Sequence, residues 1–176
     1  AEVRTPANTL VQYVSDDLGR TWGAPTAVTQ PGQIPGSAFQ LADGTLMLTW
    51  GNRRPPYGAM AMISTNGGKS WNYDNRVSLA WDSTDPACGY AFGAQAGDGS
   101  IVVTYYEHAW SGNVYAIRFT EEQFLAAAGV PDPSTGAGFF WDGSGDPTAH
   151  GFAIAPASPT PFQFDAENGS PQPGVA

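Results

Sequence analysis

Ser15-Asp16-Asp17-Leu18-Gly19-Arg20-Thr21-Trp22 returns further along the chain as Ser64-Thr65-Asn66-Gly67-Gly68-Lys69-Ser70-Trp71. Both octapeptides read Ser-x-Asp/Asn-x-Gly-x-Ser/Thr-Trp, and their first serines, at 15 and 64, stand 49 residues apart. Five matched positions at that spacing mark a supersecondary repeat rather than two unrelated hairpin turns. The residue types describe a structured turn. An Asp or Asn side chain accepts bonds from nearby backbone N–H groups, and the Gly supplies a positive φ. The Trp restarts an apolar strand and folds back over the turn, so Trp22 and Trp71 are both expected to be largely buried.

Working outward, residues 8–15 read as a strand entering the first octapeptide and 22–29 as one leaving it. Residues 37–41 and 45–50 form a hairpin about Asp43-Gly44. A loop over 51–58 carries Arg53-Arg54-Pro55-Pro56, and strands follow at 59–64 and 71–79. The cycle then restarts with strands at 89–95, 100–106 and 113–119 and a second turn at Asp98-Gly99, 55 residues after the turn at Asp43. Where a third octapeptide would stand, Thr120-Glu121-Glu122-Gln123 reads as a capping box. It opens a helix over Glu121–Ala128 that stops at Gly129. Residues 1–130 thus form the β-rich unit and 131–176 a Pro/Gly-rich extension. Within the extension, 139–141 and 151–155 could form short strands, and the stretch reads either as an extended tail against the domain or a partner, or as disordered.

The 176 residues suffice for one domain with a core, and 22 Gly, 15 Pro and 12% aromatics suit many short strands joined by tight turns. A net charge of −9, with Lys69 the single lysine, argues against a nucleic-acid or anionic-membrane partner. No apolar run approaches the ~20 residues of a membrane span. Cys88 stands alone, which leaves no intrachain disulfide and no cysteine metal cluster; neither a metal nor a cofactor is expected. The start at Ala1, without a signal peptide, fits a processed or truncated product.

The octapeptides resemble the turns of Asp-box (BNR repeat) proteins, the sialidase-like β-propellers above all. The resemblance covers about residues 8–124. It implies an all-β fold, part of a six-bladed propeller with four-stranded antiparallel blades and Asp-box turns, plus the one short helix. In such a blade the turns joining first to second strand and third to fourth share one face, and the remaining loops share the other. Both boxes and both Asp-Gly turns fall on the first face by this parity, and Arg53, Arg54, Tyr90 and Glu107 fall on the second.

The second face also resembles the family's active site. An arginine pair lies 10 and 11 residues before Ser64, Gly89-Tyr90-Ala91 looks like the Gly-Tyr-Ser motif that opens a blade, and Tyr105-Tyr106-Glu107 is similar to its strand ending in Tyr-Glu. The resemblance implies that Arg53 or Arg54 binds a sugar carboxylate, Tyr90 attacks the anomeric carbon, and Glu107 orients another arginine. His108 and Trp110 could line a sugar subsite; His150 is read as structural. The chain departs from the pattern in carrying Ala91 in place of Ser, and in lacking the family's first arginine, acid/base aspartate and activating glutamate. Two readings follow. One is the C-terminal half of a secreted or cell-surface sialidase-like glycosidase acting on an acidic sugar, with the rest of the propeller supplied by a longer chain or another polypeptide. The other is a non-catalytic propeller module for glycan binding or assembly.

Overall fold

The computed structural model describes residues 1–107 and 113–128, together with two short strands further on. The described residues are mostly β, in three- and four-stranded antiparallel sheets with one α-helix among them. The first sheet holds β1 (Glu2–Arg4), β2 (Leu10–Gln12) and β3 (Thr26–Ala27) in that order. The second runs β4 (Gln33–Gln40), β5 (Leu46–Asn52), β6 (Tyr57–Ser64), β7 (Val77–Ser83). The third runs β8 (Gly89–Gln95), β9 (Ile101–Glu107), β10 (Asn113–Phe119). Helix α1 (Glu121–Ala127) follows, and β11 (Gln163–Phe164) pairs with β12 (Pro171–Gln172).

Strand periodicity places the sheets in layers. Along β5 and β6, Leu48, Trp50, Met60 and Met62 face one way and pack with Leu10 and Val28 of the first sheet. Met47, Ala59 and Ala61 face the other way and pack with Ala91, Ile101, Val103 and Tyr105 of the third. The middle sheet is therefore covered on both faces, which is why its strands read as near-continuous apolar runs. Small residues set the approach of β8 to β5. A Cβ on Gly51 would come within 2.7 Å of Gly89 Cα, and Thr49 Oγ1 donates to Ala91 O at 2.7 Å across the sheets.

The two octapeptides fold with one hydrogen-bond scheme. In the first, Ser15 Oγ donates to Asp17 Oδ1 at 2.8 Å and accepts from Gly19 N–H at 2.7 Å; Asp17 Oδ1 accepts from Thr21 N–H at 2.8 Å. In the second, Ser64 Oγ donates to Asn66 Oδ1 at 2.9 Å and accepts from Gly68 N–H at 2.9 Å; Asn66 Oδ1 accepts from Ser70 N–H at 3.0 Å. The Asp-Gly turns repeat as closely: Asp43 accepts from the Thr45 N–H and hydroxyl, and Asp98 from those of Ser100.

Several expectations need correcting. The strand expected over 71–79 begins only at Val77, because Tyr73–Asn75 forms a 3-10 turn first, and it runs on to Ser83. The strands expected over 8–15 and 22–29 shrink to three and two residues, since the octapeptide's own bonds occupy the intervening backbone. β1 was not anticipated at all; it pairs with β2 through a tight return at Thr5–Thr9. Trp22 is 51% exposed, whereas Trp71 is partly buried and donates Nε1–H to Gln12 Oε1 at 2.5 Å. The difference is one of neighbours: Gln12 of the first sheet bonds both Trp71 and Gly68 of the second octapeptide, while Trp22 lies 3.5 Å from where a Cβ on Gly19 of its own turn would stand. The capping box stands as expected, with Thr120 Oγ1 accepting from Gln123 N–H at 3.2 Å and Gln123 Oε1 from Thr120 N–H at 2.8 Å. The expectations for 139–141, 151–155, His108, Trp110 and His150 lie outside the described residues.

Candidate functional site

Strand registers bring the sheet ends of the Asp-Gly turns and octapeptides to one end of the molecule. The 53–56 loop, Gly89-Tyr90 and Glu107 come to the other. Contacts between sheets agree: Gln12 Nε2, at the end of β2, donates to Gly68 O of the second octapeptide at 2.8 Å, whereas Asn8 O, before β2, accepts from Gly32 N–H beside Arg53.

Asn52, itself buried, shapes the arginine loop by donating Nδ2–H to Arg54 O at 2.9 Å and Pro56 O at 2.6 Å. The two arginines then part. Arg53 turns inward across the sheet boundary, donating Nε–H to Cys88 O at 3.2 Å and Nη2–H to Tyr106 Oη at 3.1 Å. Its guanidinium carbon lies 5.8 Å from the Tyr90 ring centroid, within cation–π range. Arg54 turns outward, donating Nη1–H to Gln30 Oε1 at 2.5 Å with its stem over Gly32.

Tyr90 is half exposed and left-handed, at φ +49°, directly after Gly89 at φ +112°. The register slips between Gly89 and Phe92. This is a bulge that re-aims the tyrosine. A non-glycine residue there costs on the order of 1–3 kcal/mol, which packing must offset; the ring packs against Tyr106 at 5.5 Å between centroids, tilted by 46°. Burial raises the Tyr106 phenol pKa, against the opposing pull of the Arg53 charge. Burial likewise pushes the Cys88 thiol up, with Arg53 lowering it and Glu107 raising it. Glu107, next to Tyr106 at the end of β9, is buried at 7% exposed.

The structure thus brings Arg53 and Tyr90 together, buries Glu107 near them, and directs Arg54 elsewhere. It adds two residues to which the sequence reading gave no role of their own. Tyr106 is one. Arg4 is the other: with Arg53, Asn8, Gly32, Pro86 and Ala87 it lines a cavity of about 390 Å³ at this end, and it donates to Asn8 Oδ1 at 2.8 Å. A larger cavity of about 450 Å³ lies at the opposite end, between the first sheet and Trp71 and Tyr73. The rim cavity has the stronger chemistry, because two arginines line it in a chain of net charge −9. Arg53 has five N–H donors, and the two bonds above leave three for a ligand. Among the described residues, no group of three or more His, Cys, Asp and Glu is placed to hold a metal ion. No described helix is long and apolar enough to cross a membrane.

No protein-family model matches the chain, and no curated protein does. The chain is similar to a crystal structure of a protein of unknown function from Dyadobacter fermentans, with 22% identity and a TM-score of 0.48. The match covers 65% of this chain and 35% of that one, so this chain spans about a third of that protein's length.

Proposed function

We propose that the chain forms part of a sialidase-like β-propeller and that its Arg4–Arg53 rim binds the carboxylate of an acidic sugar. The observation that carries this reading is that Arg4 and Arg53 line one cavity, with the Arg53 guanidinium carbon 5.8 Å from the centroid of the exposed Tyr90 ring. Planar guanidinium forks suit bidentate contact with a carboxylate, and an aromatic face suits the apolar side of a pyranose. The propeller reading is supported by successive antiparallel sheets packed face to face in chain order, with the repeated octapeptides together at one end.

A second reading, hydrolysis, is favoured by Tyr90 itself. A half-exposed phenol held in a left-handed bulge next to a cation is suited to attack an anomeric carbon. In that step the Tyr90 oxygen bonds to the anomeric carbon, the glycosidic C–O bond breaks, a base takes the phenol proton and an acid protonates the leaving oxygen. The acid and base would come from the part of the propeller outside this chain.

Calorimetric titration with N-acetylneuraminic acid tests the recognition reading. Arg4→Ala is expected to weaken binding by about 1.5–3 kcal/mol, the worth of a charge-assisted bond, and Arg54→Ala to leave it nearly unchanged. No binding by the parent chain, or equal binding of the methyl ester, would sink it. Hydrolysis requires that the complete assembly turn over a sialoside and that Tyr90→Phe abolish turnover without loss of binding.

A further inference from the structure

The cavity of about 450 Å³ lies between the first sheet and the stretch that precedes β7. Trp71 and Tyr73 form one wall, ahead of a strand that begins only at Val77. β2 and β3 form the other, where Thr26 stands opposite Gln12. A second cavity of about 330 Å³ reaches Ile63 and Asn72. Both cavities are lined by Ser70 and Trp71, so the indole stands where the two meet. The groove lies between two described sheets, at the octapeptide end and away from Arg4 and Arg53.

Its aromatic wall is held rigidly from behind. Trp71 Nε1–H donates to Gln12 Oε1 at 2.5 Å, and Gln12 Nε2 is tied in turn to Gly68 O at 2.8 Å. Tyr73 donates its hydroxyl proton to Gln33 Oε1 at 2.8 Å. The Tyr73 ring lies 6.4 Å from the Trp50 ring at 16° between planes, with the Arg76 guanidinium carbon 4.3 Å from its centroid. The polar tips of both side chains are thus bonded within the protein, and what they offer a ligand is ring surface. Side chains fixed in this way lose little freedom on binding.

The polar groups around that surface are mostly donors. Ser70 Oγ accepts from Asn66 Nδ2 at 2.8 Å, which leaves its own hydroxyl proton to donate. Among the described residues, neither the Thr26 hydroxyl nor the Lys69 ammonium has a partner. Of the 16 Asp and Glu in the chain, none among the described residues lines either cavity, and Lys69 is the one charge on the walls. The groove is therefore aromatic, rich in hydrogen-bonding groups and nearly uncharged. A neutral pyranose has the matching surface, an apolar C–H face edged by hydroxyls. Each cavity also falls within the roughly 300–1,000 Å³ of small-molecule sites. A single exposed ammonium is too little for a polyanion. Proline-rich peptides also use aromatic grooves, but a groove tryptophan holds them by giving its N–H to a peptide carbonyl, and the Trp71 N–H is already given to Gln12.

We infer that this groove binds a neutral oligosaccharide, with one sugar ring stacked on Trp71 beside Tyr73 and a second ring in the cavity toward Ile63 and Asn72. Thr26, Lys69 and Ser70 donate to its hydroxyls. The site goes beyond the carboxylate-binding rim and does not rest on that reading.

The full chain applied to a printed array of neutral oligosaccharides, one to six hexose, pentose or N-acetylhexosamine units long, tests the proposal, followed by calorimetry on the best binder. Binding is expected for oligomers in preference to single sugars, because two cavities flank Trp71. Trp71→Ala is expected to weaken it by about tenfold or more. Since Trp71→Ala also loosens the fold, Thr26→Arg is the second variant: Thr26 is exposed and unbonded, so the arginine should fill the cleft and weaken binding about tenfold with unchanged far-UV circular dichroism and melting temperature. The affinity of a neutral ligand should hold between about 50 and 500 mM salt. Excess N-acetylneuraminic acid should not displace it, and Arg4→Ala should leave it intact, which separates failure of this site from failure of the rim. The proposal is overturned if the full chain binds no neutral oligosaccharide on the array, if binding survives both Trp71→Ala and Thr26→Arg, or if it is displaced by N-acetylneuraminic acid or lost with salt. It is equally overturned if a polyproline decamer, and no sugar, binds in a manner sensitive to Thr26→Arg.

Discussion

Carboxyls that titrate in opposite senses shape how stability should follow pH: Asp17, Asp43 and Asp98 are held low by their turn hydrogen bonds, and Glu2 is pushed up by burial. Asp17 is held down to about 2 first by the Thr21 hydroxyl, then by the Thr21 N–H, Ser15 and Arg20. Its bonds stabilise the fold above the unfolded value near 3.8 and are lost as pH falls toward 2. Glu2 is pushed up to about 7 by burial, partly offset by the N-terminal charge. Its protonated form is the one the fold favours, so stability is expected to fall as pH rises from about 4.5 through 7 and to level beyond. Thermal melts across pH 2–9 should therefore show Asp17→Asn making the acid limb shallower, with Asp43 and Asp98 supplying the rest of it, and Glu2→Gln flattening the decline toward neutrality. A Glu2→Gln curve parallel to the parent between pH 4.5 and 7 would contradict this account.

The turns carry unequal weight despite their matched sequences. Ser64 is buried and Ser15 only half so. Ser64→Ala leaves the Gly68 N–H without its acceptor in the interior and is expected to cost about 1–3 kcal/mol; Ser15→Ala should cost less. The same contrast applies to the tryptophans. Trp71→Ala removes packing and the bond to Gln12, for roughly 2–4 kcal/mol, whereas Trp22→Ala should cost under about 1 kcal/mol. Urea denaturation of the four variants measures both contrasts, and equal losses at the paired positions would show that the turn alone, not its cover, sets stability. These turns were the most legible part of the sequence, because their bonds are local: each links residues two to four apart. The capping box at Thr120 was legible for the same reason.

For the molecule as a whole, the contacts between sheets fix where the rim residues point. Gly51→Ala would place a methyl 2.7 Å from Gly89 Cα and 2.8 Å from Ile34 O. Overpacking of this kind typically costs about 1–3 kcal/mol. It should also push β8 away, loosening the Arg53 bond to Cys88 O and weakening sugar binding without any change at the ligand. A Gly51→Ala chain with parental stability and affinity would show that the sheet spacing is not what positions Arg53.

The sequence by itself determined the period of the turns, the ends at which loops emerge, and hence which end of the molecule carries Arg53, Tyr90 and Glu107. Alternation along antiparallel strands and hydrogen bonds of short span suffice for that. It did not separate Arg53 from Arg54, because adjacent residues differ only in which neighbours they meet, and those neighbours are Cys88, 35 residues later, and Gln30, 24 residues earlier. It left Arg4 unread, since three residues with no pattern of their own become a strand only when Leu10–Gln12 pairs with them. It overestimated the burial of Trp22 for a related reason: whether an aromatic closing a turn is covered depends on a sheet that packs from elsewhere in the chain. Tertiary structure decided these points because burial and guanidinium direction are set by contacts between layers, which local sequence does not encode.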